Sequence, residues 1–152
     1  MNKVEIIIRP IIADDSDMAQ LLEIEKLSFN QTDAWADKDF KQWLNTNPDF
    51  CIAAELDGRI VGSIFGRIQR YRLNIGSCAI HPDHRRSGIA AALLDELAKR
   101  AKAFSIHQMD LEVRPSNSAG LAFWLSMGFE QFKTEAGFYL DGEDALLMHK
   151  KI

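Results

Sequence analysis

The sequence predicts an α/β protein built on one mixed sheet that is covered by helices, and three observations favour this fold class. Apolar stretches of strand length alternate with stretches whose apolar residues recur at helical spacing. Turn-forming residues such as Asp57-Gly58 separate these stretches. The chain has 152 residues and is 47% hydrophobic, which is enough for a substantial core. We therefore expect residues 1–152 to form a single domain with the order β-α-α-β-β-β-α-β-α-β-β.

The first predicted elements are one strand and two helices. The strand is expected at Val4–Ile8, where Arg9-Pro10 closes it. Residues 14–16, Asp-Asp-Ser, are typical helix N-cap residues, and the apolar residues after them recur at helical spacing: Met18, Leu21, Leu22, Ile24 and Leu27. Residues 29–35 are polar with two aromatic side chains that look exposed, which predicts a loop. A second helix is expected to be capped by Asp37 and to carry the apolar residues Phe40, Trp43 and Leu44.

The middle of the chain is predicted to form a hairpin, then a strand, a basic turn and a helix. Phe50–Leu56 and Arg59–Arg70 are apolar strands on either side of Asp57-Gly58, which suits a hairpin turn. Ile75–Ile80 is a short apolar run that predicts a buried strand. The helix that follows carries its apolar residues on one side: Ile89, Leu93, Leu94 and Leu97.

The last third is predicted to form three strands and one helix. The strand 107–113 alternates in polarity, and residues 116–117, Ser-Asn, are expected to open a helix. The apolar residues of that helix are Leu121, Ala122, Trp124 and Leu125. Gly128 is expected to end it, and the final strands are expected at 129–135 and 145–149.

Charge is unevenly distributed along this chain, whose net charge is −4. Residues 1–57 carry 5 basic and 12 acidic residues, residues 58–102 carry 9 and 3, and residues 103–152 carry 4 and 7. The basic middle favours an anionic ligand, and the acidic start either attracts a cationic amine or forms solvated helix surfaces. The overall acidity disfavours nucleic acid as a partner.

Several further classes are disfavoured by the sequence. No apolar run approaches the roughly 20 residues of a membrane span, and the N-terminal segment lacks the features of a signal peptide. Cys51 and Cys78 lie in apolar runs and are expected to be free buried thiols, which fits the cytoplasm. The four histidines are scattered, so no metal is expected. A monomer and a homodimer are both compatible with the sequence.

The turn Arg85-Arg86-Ser87-Gly88-Ile89-Ala90 is predicted to bind an anion. The first amides of a helix have no partner within it, and the helix dipole places partial positive charge there. Gly88 allows a phosphate to approach the backbone closely, and the two arginines add charge. Neither the Gly-x-x-x-x-Gly-Lys-Ser/Thr loop nor the Gly-x-Gly-x-x-Gly fingerprint is present. A pyrophosphate is the expected ligand.

Five stretches of the chain, in order, resemble the GNAT N-acetyltransferases. Arg85-x-x-Gly88-x-Ala90 resembles the acetyl-CoA pyrophosphate signature of that family. The other four are Ala-Ile-His-Pro at 79–82, Leu-Glu-Val-Arg-Pro-Ser-Asn at 111–117, Leu-Ser-Met-Gly-Phe at 125–129 and the segment 139–148. The last of these resembles the ribosomal-protein-alanine N-acetyltransferases and related N-terminal acetyltransferases. The resemblance implies the GNAT acyl-CoA N-acyltransferase fold, and it is looser before residue 50.

The resemblance also implies acetyl-CoA as the cosubstrate and assigns residues to it. Backbone groups of Cys78, Ala79 and Ile80 would pair with the pantetheine, and the N–H of Ile80 would face the thioester oxygen. The pyrophosphate would be held by Arg85, Arg86, Ser87, Gly88, Ile89, Ala90 and Ala91. Asn117 matches a family residue that contacts the cofactor.

Glu112 is the candidate general base. Strand alternation places it opposite the apolar side chains of its own strand: Met109, Leu111 and Val113. An ammonium substrate must lose a proton before it attacks a thioester, and a carboxylate can accept that proton directly or through water. The alternative is an ordinary exposed strand glutamate, and the Leu-Glu-Val-Arg match favours the catalytic interpretation.

Three aromatic residues complete the predicted site. Trp124 stands where the alanine-acetylating group has a tyrosine thought to protonate the leaving thiolate. An indole N–H donates a hydrogen bond but is not a general acid, so Trp124 is expected to line the acyl site while Tyr139 or water supplies the proton. Trp124 could instead fill the core. The resemblance places Tyr139 and Trp35 at the substrate entrance, where plain packing is the alternative.

The leading hypothesis is an acetyl-CoA-dependent N-acetyltransferase that acts on the α-amine of a protein or peptide N-terminus. A second enzyme is a small-amine acetyltransferase for polyamine-like or aminoglycoside-like substrates, which the acidic first third suggests. A non-catalytic acyl-CoA-binding regulator is the third hypothesis, because Trp124 replaces the family tyrosine.

Overall fold

The structure is a computed structural model, and it describes residues 5–152. The described part contains seven strands and four α-helices in the predicted order. The strands are β1 (Ile7–Pro10), β2 (Cys51–Leu56), β3 (Arg59–Gln69), β4 (Arg72–Ile80), β5 (Gln108–Val113), β6 (Glu130–Glu135) and β7 (Ala145–Lys151). The helices are α1 (Asp15–Ser28), α2 (Asp37–Thr46), α3 (Ile89–Ala103) and α4 (Ser118–Ser126). None of these helices is long and apolar enough to cross a membrane.

The predicted fold class is confirmed, and the differences lie at the ends of elements. The first strand begins at Ile7 and includes Pro10, so its predicted end at Ile8 is wrong, while Val4 lies outside the described residues. Pro10 is tolerated because β1 is an edge strand. The strand predicted from Ile75 begins at Arg72, because the polar residues before Ile75 still pair with β3.

The helix starts follow local capping chemistry. The Asp14 carboxylate accepts the backbone N–H of Asp17 at 2.7 Å, as an N-cap residue does. The prediction that Asp37 caps α2 is wrong, because Ala36 is the N-cap and Asp37 is the first helical residue. The carboxylate of Asp39 accepts the N–H of Ala36 at 2.8 Å, so the cap is supplied from inside the helix.

All seven strands form one sheet in the order β1-β2-β3-β4-β5-β7-β6. Neighbouring strands are antiparallel except β4 and β5, which are parallel. These two strands pair at only two positions, Leu73 with Met109 and Asn74 with Asp110. Beyond Asn74 the two strands separate, which opens the middle of the sheet toward the C-terminal ends of both strands.

The two faces of the sheet have separate hydrophobic cores. On one face α3 packs its buried residues Leu93, Leu94 and Leu97 against the sheet. On the other face α1 and α2 cover a smaller core that includes Leu21, Phe40 and Phe65. The alternation predicted for β5 is confirmed, because its apolar side chains belong to the α3 core: Met109, Leu111 and Val113. Its polar side chains therefore lie on the α1–α2 face.

A β-bulge at Gly76 shapes β4 beside the gap. Phe65 pairs with Ser77 and Gly66 with Ile75, so Gly76 has no partner on β3. A side chain at this position would overlap the Trp43 indole and would lie 2.9 Å from Cζ2 of Trp35. Glycine is required here because two aromatic rings lie directly against the backbone.

We expect Gly76→Ala to lower the free energy of unfolding by about 1–3 kcal/mol, the usual cost of overpacking. The added methyl group must displace the Trp43 indole. Urea denaturation of Gly76→Ala in the wild-type and Trp43→Leu backgrounds would measure the coupling. The cost should shrink when the indole is absent, and an equal cost in both backgrounds would contradict this explanation.

Candidate active site

The separation of β4 and β5 opens into a cleft of about 1240 Å³. Its walls come from the gap between the strands, the start of α3, α4, and the loops that precede α2 and β7. All but one of the residues that the sequence assigned to a cofactor or substrate line this cleft. The exception is Ser87, whose hydroxyl donates to the His84 carbonyl and so stabilises the turn before α3.

The end of β4 presents backbone groups to the cleft. The His81 N–H donates to the Val61 carbonyl at 2.8 Å, and Gly62 is the register partner of Ile80. Antiparallel alternation therefore turns the backbone groups of Ala79 toward β3 and those of Cys78 and Ile80 toward the gap. The open edge of β4 therefore presents the backbone of Cys78 and Ile80 but not that of Ala79, which the sequence-based prediction included. The Nε of Arg85 donates to the Ile80 carbonyl at 3.1 Å, so the N–H groups of Cys78 and Ile80 are the donors on that edge.

The turn before α3 is built for close approach to an anion. Gly88 is the N-cap with φ of 80°, and Arg86 has φ of 61°, so two left-handed residues form a tight turn. Among residues 5–152 no side chain caps the helix, so its first backbone N–H groups are available to a ligand. Ile89, Ala90 and Ala91 line the cleft, and Ile89 also belongs to the α3 core.

Arg85 is held in place by the protein itself. Besides its bond to Ile80, its guanidinium donates to the Ser28 hydroxyl at 3.2 Å. This arginine therefore connects the end of α1 to the end of β4 and supports the turn. Arg86 lines the cleft and is exposed.

Glu112 lies on the α1–α2 face of β5 and lines the cleft, as the alternation predicted. The side-chain amide of buried Asn74 donates to both of its oxygens at 3.3 and 3.4 Å, and to Asp110 at 2.9 Å. Burial raises the pKa of Glu112, and the Asn74 hydrogen bond acts in the opposite direction. A carboxylate with a raised pKa is a stronger base, which is suited to accepting a proton near neutral pH.

Arg114, one position past β5, joins the two loops at the mouth of the cleft. Its guanidinium donates to Asp33 of the α1–α2 loop at 2.7 Å. It also donates to Asp141 at 2.9 Å and to Glu143 at 2.8 Å, both in the β6–β7 loop. Its Cζ lies 3.9 Å from the centroid of the Tyr139 ring. We refer to these five residues as the Arg114 clasp. Desolvation raises the pKa of Tyr139 to about 12, so the phenol stays protonated at neutral pH.

An aromatic wall faces Glu112 from the α1–α2 side. Trp35 packs against Trp43, Phe40 and Phe65 with ring centroids 4.9 to 5.4 Å apart, so its predicted exposure is wrong. The buried carboxyl of Glu25 accepts the Trp35 backbone N–H at 3.0 Å. It also accepts the Ser77 hydroxyl at 3.2 Å. The loop that carries Trp35 is thereby fastened to β4.

α4 provides the wall opposite the aromatic wall. Asn117 is its N-cap and accepts the Gly120 N–H at 2.9 Å, while also lining the cleft. Trp124 is half-buried, packs against Phe129 with centroids 5.2 Å apart, and lines the cleft. Trp124 therefore packs against the core and also lines the cleft, while its role at the acyl site stays a prediction.

The residues of the site that the sequence did not indicate include Glu25, Arg67, Asn74 and Arg114. Arg114 lies inside a stretch that resembles the family, and the other three lie outside all five such stretches. The alternation of β4 would have placed Asn74 beside Glu112 once the register was known. In the described residues no group of three or more His, Cys, Asp or Glu could hold a metal ion.

Comparison with known proteins gives the family to which this fold and cleft belong. Residues 17–129 match the family model described as "Acetyltransferase (GNAT) family". The chain belongs to the GNAT family and is an N-acetyltransferase.

Individual relatives agree with this family. The chain is 31% identical over 146 residues to an "N-alpha-acetyltransferase" of Sulfurisphaera tokodaii, covering 88% of this chain and 86% of that protein. The structure of the ribosomal-protein-alanine N-acetyltransferase from Brucella melitensis superposes with a TM-score of 0.77 and 27% identity, covering 96% and 99% of the two chains. The NatC complex bound to Gag peptide and CoA has a TM-score of 0.83 at 21% identity, with 97% and 99% covered. The last likeness shows the fold alone.

We expect the stability of the protein to depend on pH through Glu25. Burial raises the pKa of this carboxyl from 4.5 to about 7, so the folded state holds a proton that the unfolded state has released between these values. The contribution of Glu25 to the free energy of unfolding should therefore fall as the pH rises from about 4.5 to about 7, by roughly 3 kcal/mol, and then level off. Glu25→Gln is nearly isosteric and cannot ionise.

Urea denaturation of both proteins at a series of pH values measures this contribution. The difference in the free energy of unfolding should favour Glu25→Gln increasingly up to about pH 7. A difference that stays constant with pH would show that the Glu25 carboxyl is not the titrating group.

Proposed function

We propose that this N-acetyltransferase transfers the acetyl group of acetyl-CoA to the α-amine of a protein or peptide N-terminus. The observation that supports it is the path of the cleft. It runs from the uncapped start of α3, along the open edge of β4, past Glu112 to a mouth formed by two loops. Along such a path the cofactor would bind at the α3 end and the amine substrate would enter at the mouth.

At the cofactor end, the free amides of the α3 turn would hold the pyrophosphate, with Arg86 adding charge. The pantetheine would pair with the open backbone groups of Cys78 and Ile80, like an added strand. The Ile80 N–H would then face the thioester oxygen and stabilise the charge that develops there. The CoA-bound NatC structure has the same fold, which supports acetyl-CoA as the cosubstrate.

At the amine end, Glu112 would take the proton of the substrate ammonium, directly or through water. Burial raises the pKa of the Cys78 thiol to about 12, so this side chain is protonated at neutral pH and direct transfer to the amine is favoured over an acyl-cysteine. Trp124 would line the acyl site, and the protonated Tyr139 or a water would supply the proton to the leaving thiolate.

The mouth of the cleft and the named relatives support a peptide substrate. The Arg114 clasp frames this mouth from two sides, with the α1–α2 loop on one side and the β6–β7 loop on the other. The relatives named for N-terminal or ribosomal-protein acetylation point in the same direction.

Thiol release from acetyl-CoA tests this proposal across free-N-terminal peptides, the same peptides with blocked N-termini, internal-lysine peptides and polyamines. We expect turnover only with free N-termini.

Glu112→Gln should lower kcat at least tenfold and leave acetyl-CoA affinity unchanged. In the wild type kcat should fall as the pH drops through the raised pKa of Glu112, since the base must be ionised, and the variant should lack this limb. Turnover with polyamines alone would overturn the substrate assignment.

A further inference from the structure

We propose that Arg67 selects substrates that carry a carboxylate close to the reacting amine. The proposal rests on the proposed function of the cleft and names the chemistry of its substrate. Two sources share this chemistry, namely the side chain of an N-terminal Asp or Glu and the α-carboxylate of a free amino acid.

Arg67 lies on the amine side of the cleft. It is on β3, where its register partner on β4 is Asn74, and both residues line the cleft with Glu112. The Nε of Arg67 donates to Oδ1, the side-chain carbonyl oxygen of Asn74, at 3.2 Å. The amide nitrogen of the same side chain donates to Glu112. One asparagine amide therefore separates the guanidinium from the candidate base.

The pairing of Arg67 differs from that of the other arginines that are not fully exposed. Within residues 5–152, four such arginines each lie within 4.0 Å of a carboxylate: Arg9, Arg72, Arg100 and Arg114. Arg67 is half-buried and has no carboxylate within this distance in the described part of the chain. Partly buried charges are normally paired, because desolvation is costly. A substrate carboxylate would complete this pairing.

The Arg67 side chain contacts the aromatic wall and has unused hydrogen-bond donors. Its Cζ lies 4.9 Å from the centroid of the Trp43 ring, so the guanidinium packs against the aromatic wall. Only Nε is used by Asn74, so both terminal nitrogens are without a protein partner in residues 5–152. A guanidinium with two free NH₂ groups can bind a carboxylate through two hydrogen bonds.

The charge of Arg67 also acts on the amine. A positive charge that lines the same cleft as the candidate base disfavours an ammonium group that arrives alone. An amine that brings its own carboxylate offsets this repulsion. Asp and Glu at an N-terminus, and free amino acids, hold the two groups a few bonds apart, which matches the single amide between Arg67 and Glu112.

Matched substrate pairs test the inference on purified protein with the thiol-release assay. The pairs are peptides that begin with Asp or Asn, peptides that begin with Glu or Gln, and free amino acids against their amides. For the pair that the wild type turns over, we expect kcat/KM to be at least tenfold higher for the member that carries the carboxylate. In Arg67→Gln the ratio of the two kcat/KM values should approach one. Arg67→Lys should retain part of the preference, because a lysine keeps the charge but not the two parallel donors of the guanidinium.

The outcomes separate the two proposals. Equal kcat/KM for both members of every pair in the wild type would overturn the role of Arg67, even if no variant folds. A uniform loss in Arg67→Gln with an unchanged ratio would also overturn it and would leave Arg67 as a residue that only positions Asn74. Turnover of free amino acids but of no peptide would contradict the N-terminal assignment while supporting the role of Arg67. Selective turnover of the acidic peptides would support both.

Discussion

The parallel contact between β4 and β5 lasts for only two residue pairs, and the active-site cleft depends on that short contact. A full ladder would close the sheet and use the backbone groups of Cys78 and Ile80 in pairing. Instead the strands separate after Asn74, and the edge of β4 stays open. Parallel strands need a connecting element, and α3 supplies it together with the uncapped turn at its start. The strand edge and the helix start thus belong to one β-α-β unit.

The two strands separate at a cluster of hydrogen-bonded polar side chains around Asn74. Asn74 belongs to the last pair before the gap, and its amide bonds to Asp110, Glu112 and Arg67. Buried polar groups are costly unless each finds a partner, and this one amide uses both of its ends. The same hydrogen bonds hold the Glu112 carboxylate and orient the Arg67 guanidinium beside it. Arg72 pairs with Asp110 at 3.3 Å and completes the network.

Two loops far apart in sequence frame the substrate end, and an ion-pair network centred on buried Arg114 joins them. Arg114 joins Asp33 and Glu143, which are 81 and 29 residues away along the chain. Glu25 links the α1–α2 loop to β4, because its carboxyl accepts the Trp35 N–H and the Ser77 hydroxyl. Arg114 is itself buried, so removing a carboxylate partner would leave its charge less compensated. The two loops at the entrance are thus joined to each other and to β4.

Local chemistry in the sequence was sufficient to predict the order of elements, the turn at Gly88 and the face of Glu112. Each depends on a few neighbouring residues, such as the alternation around Glu112. The separation of the strands, the bulge at Gly76 and the pairing of Arg67 could not be predicted. They depend on which residues of distant strands face one another, and a shift of one residue reverses every side chain. Arg114 was visible in a motif, but its partners are set by tertiary packing.

The most direct test of the central claim is to follow backbone amide NMR signals while acetyl-CoA is added. If the gap between β4 and β5 is the cofactor site, the largest shifts should fall on Ile80 and on residues 88–91. The Ala79 amide, which faces β3, should shift less than that of Ile80. Large shifts confined to other parts of the sheet, with these amides unchanged, would show that the open strand edge does not bind acetyl-CoA.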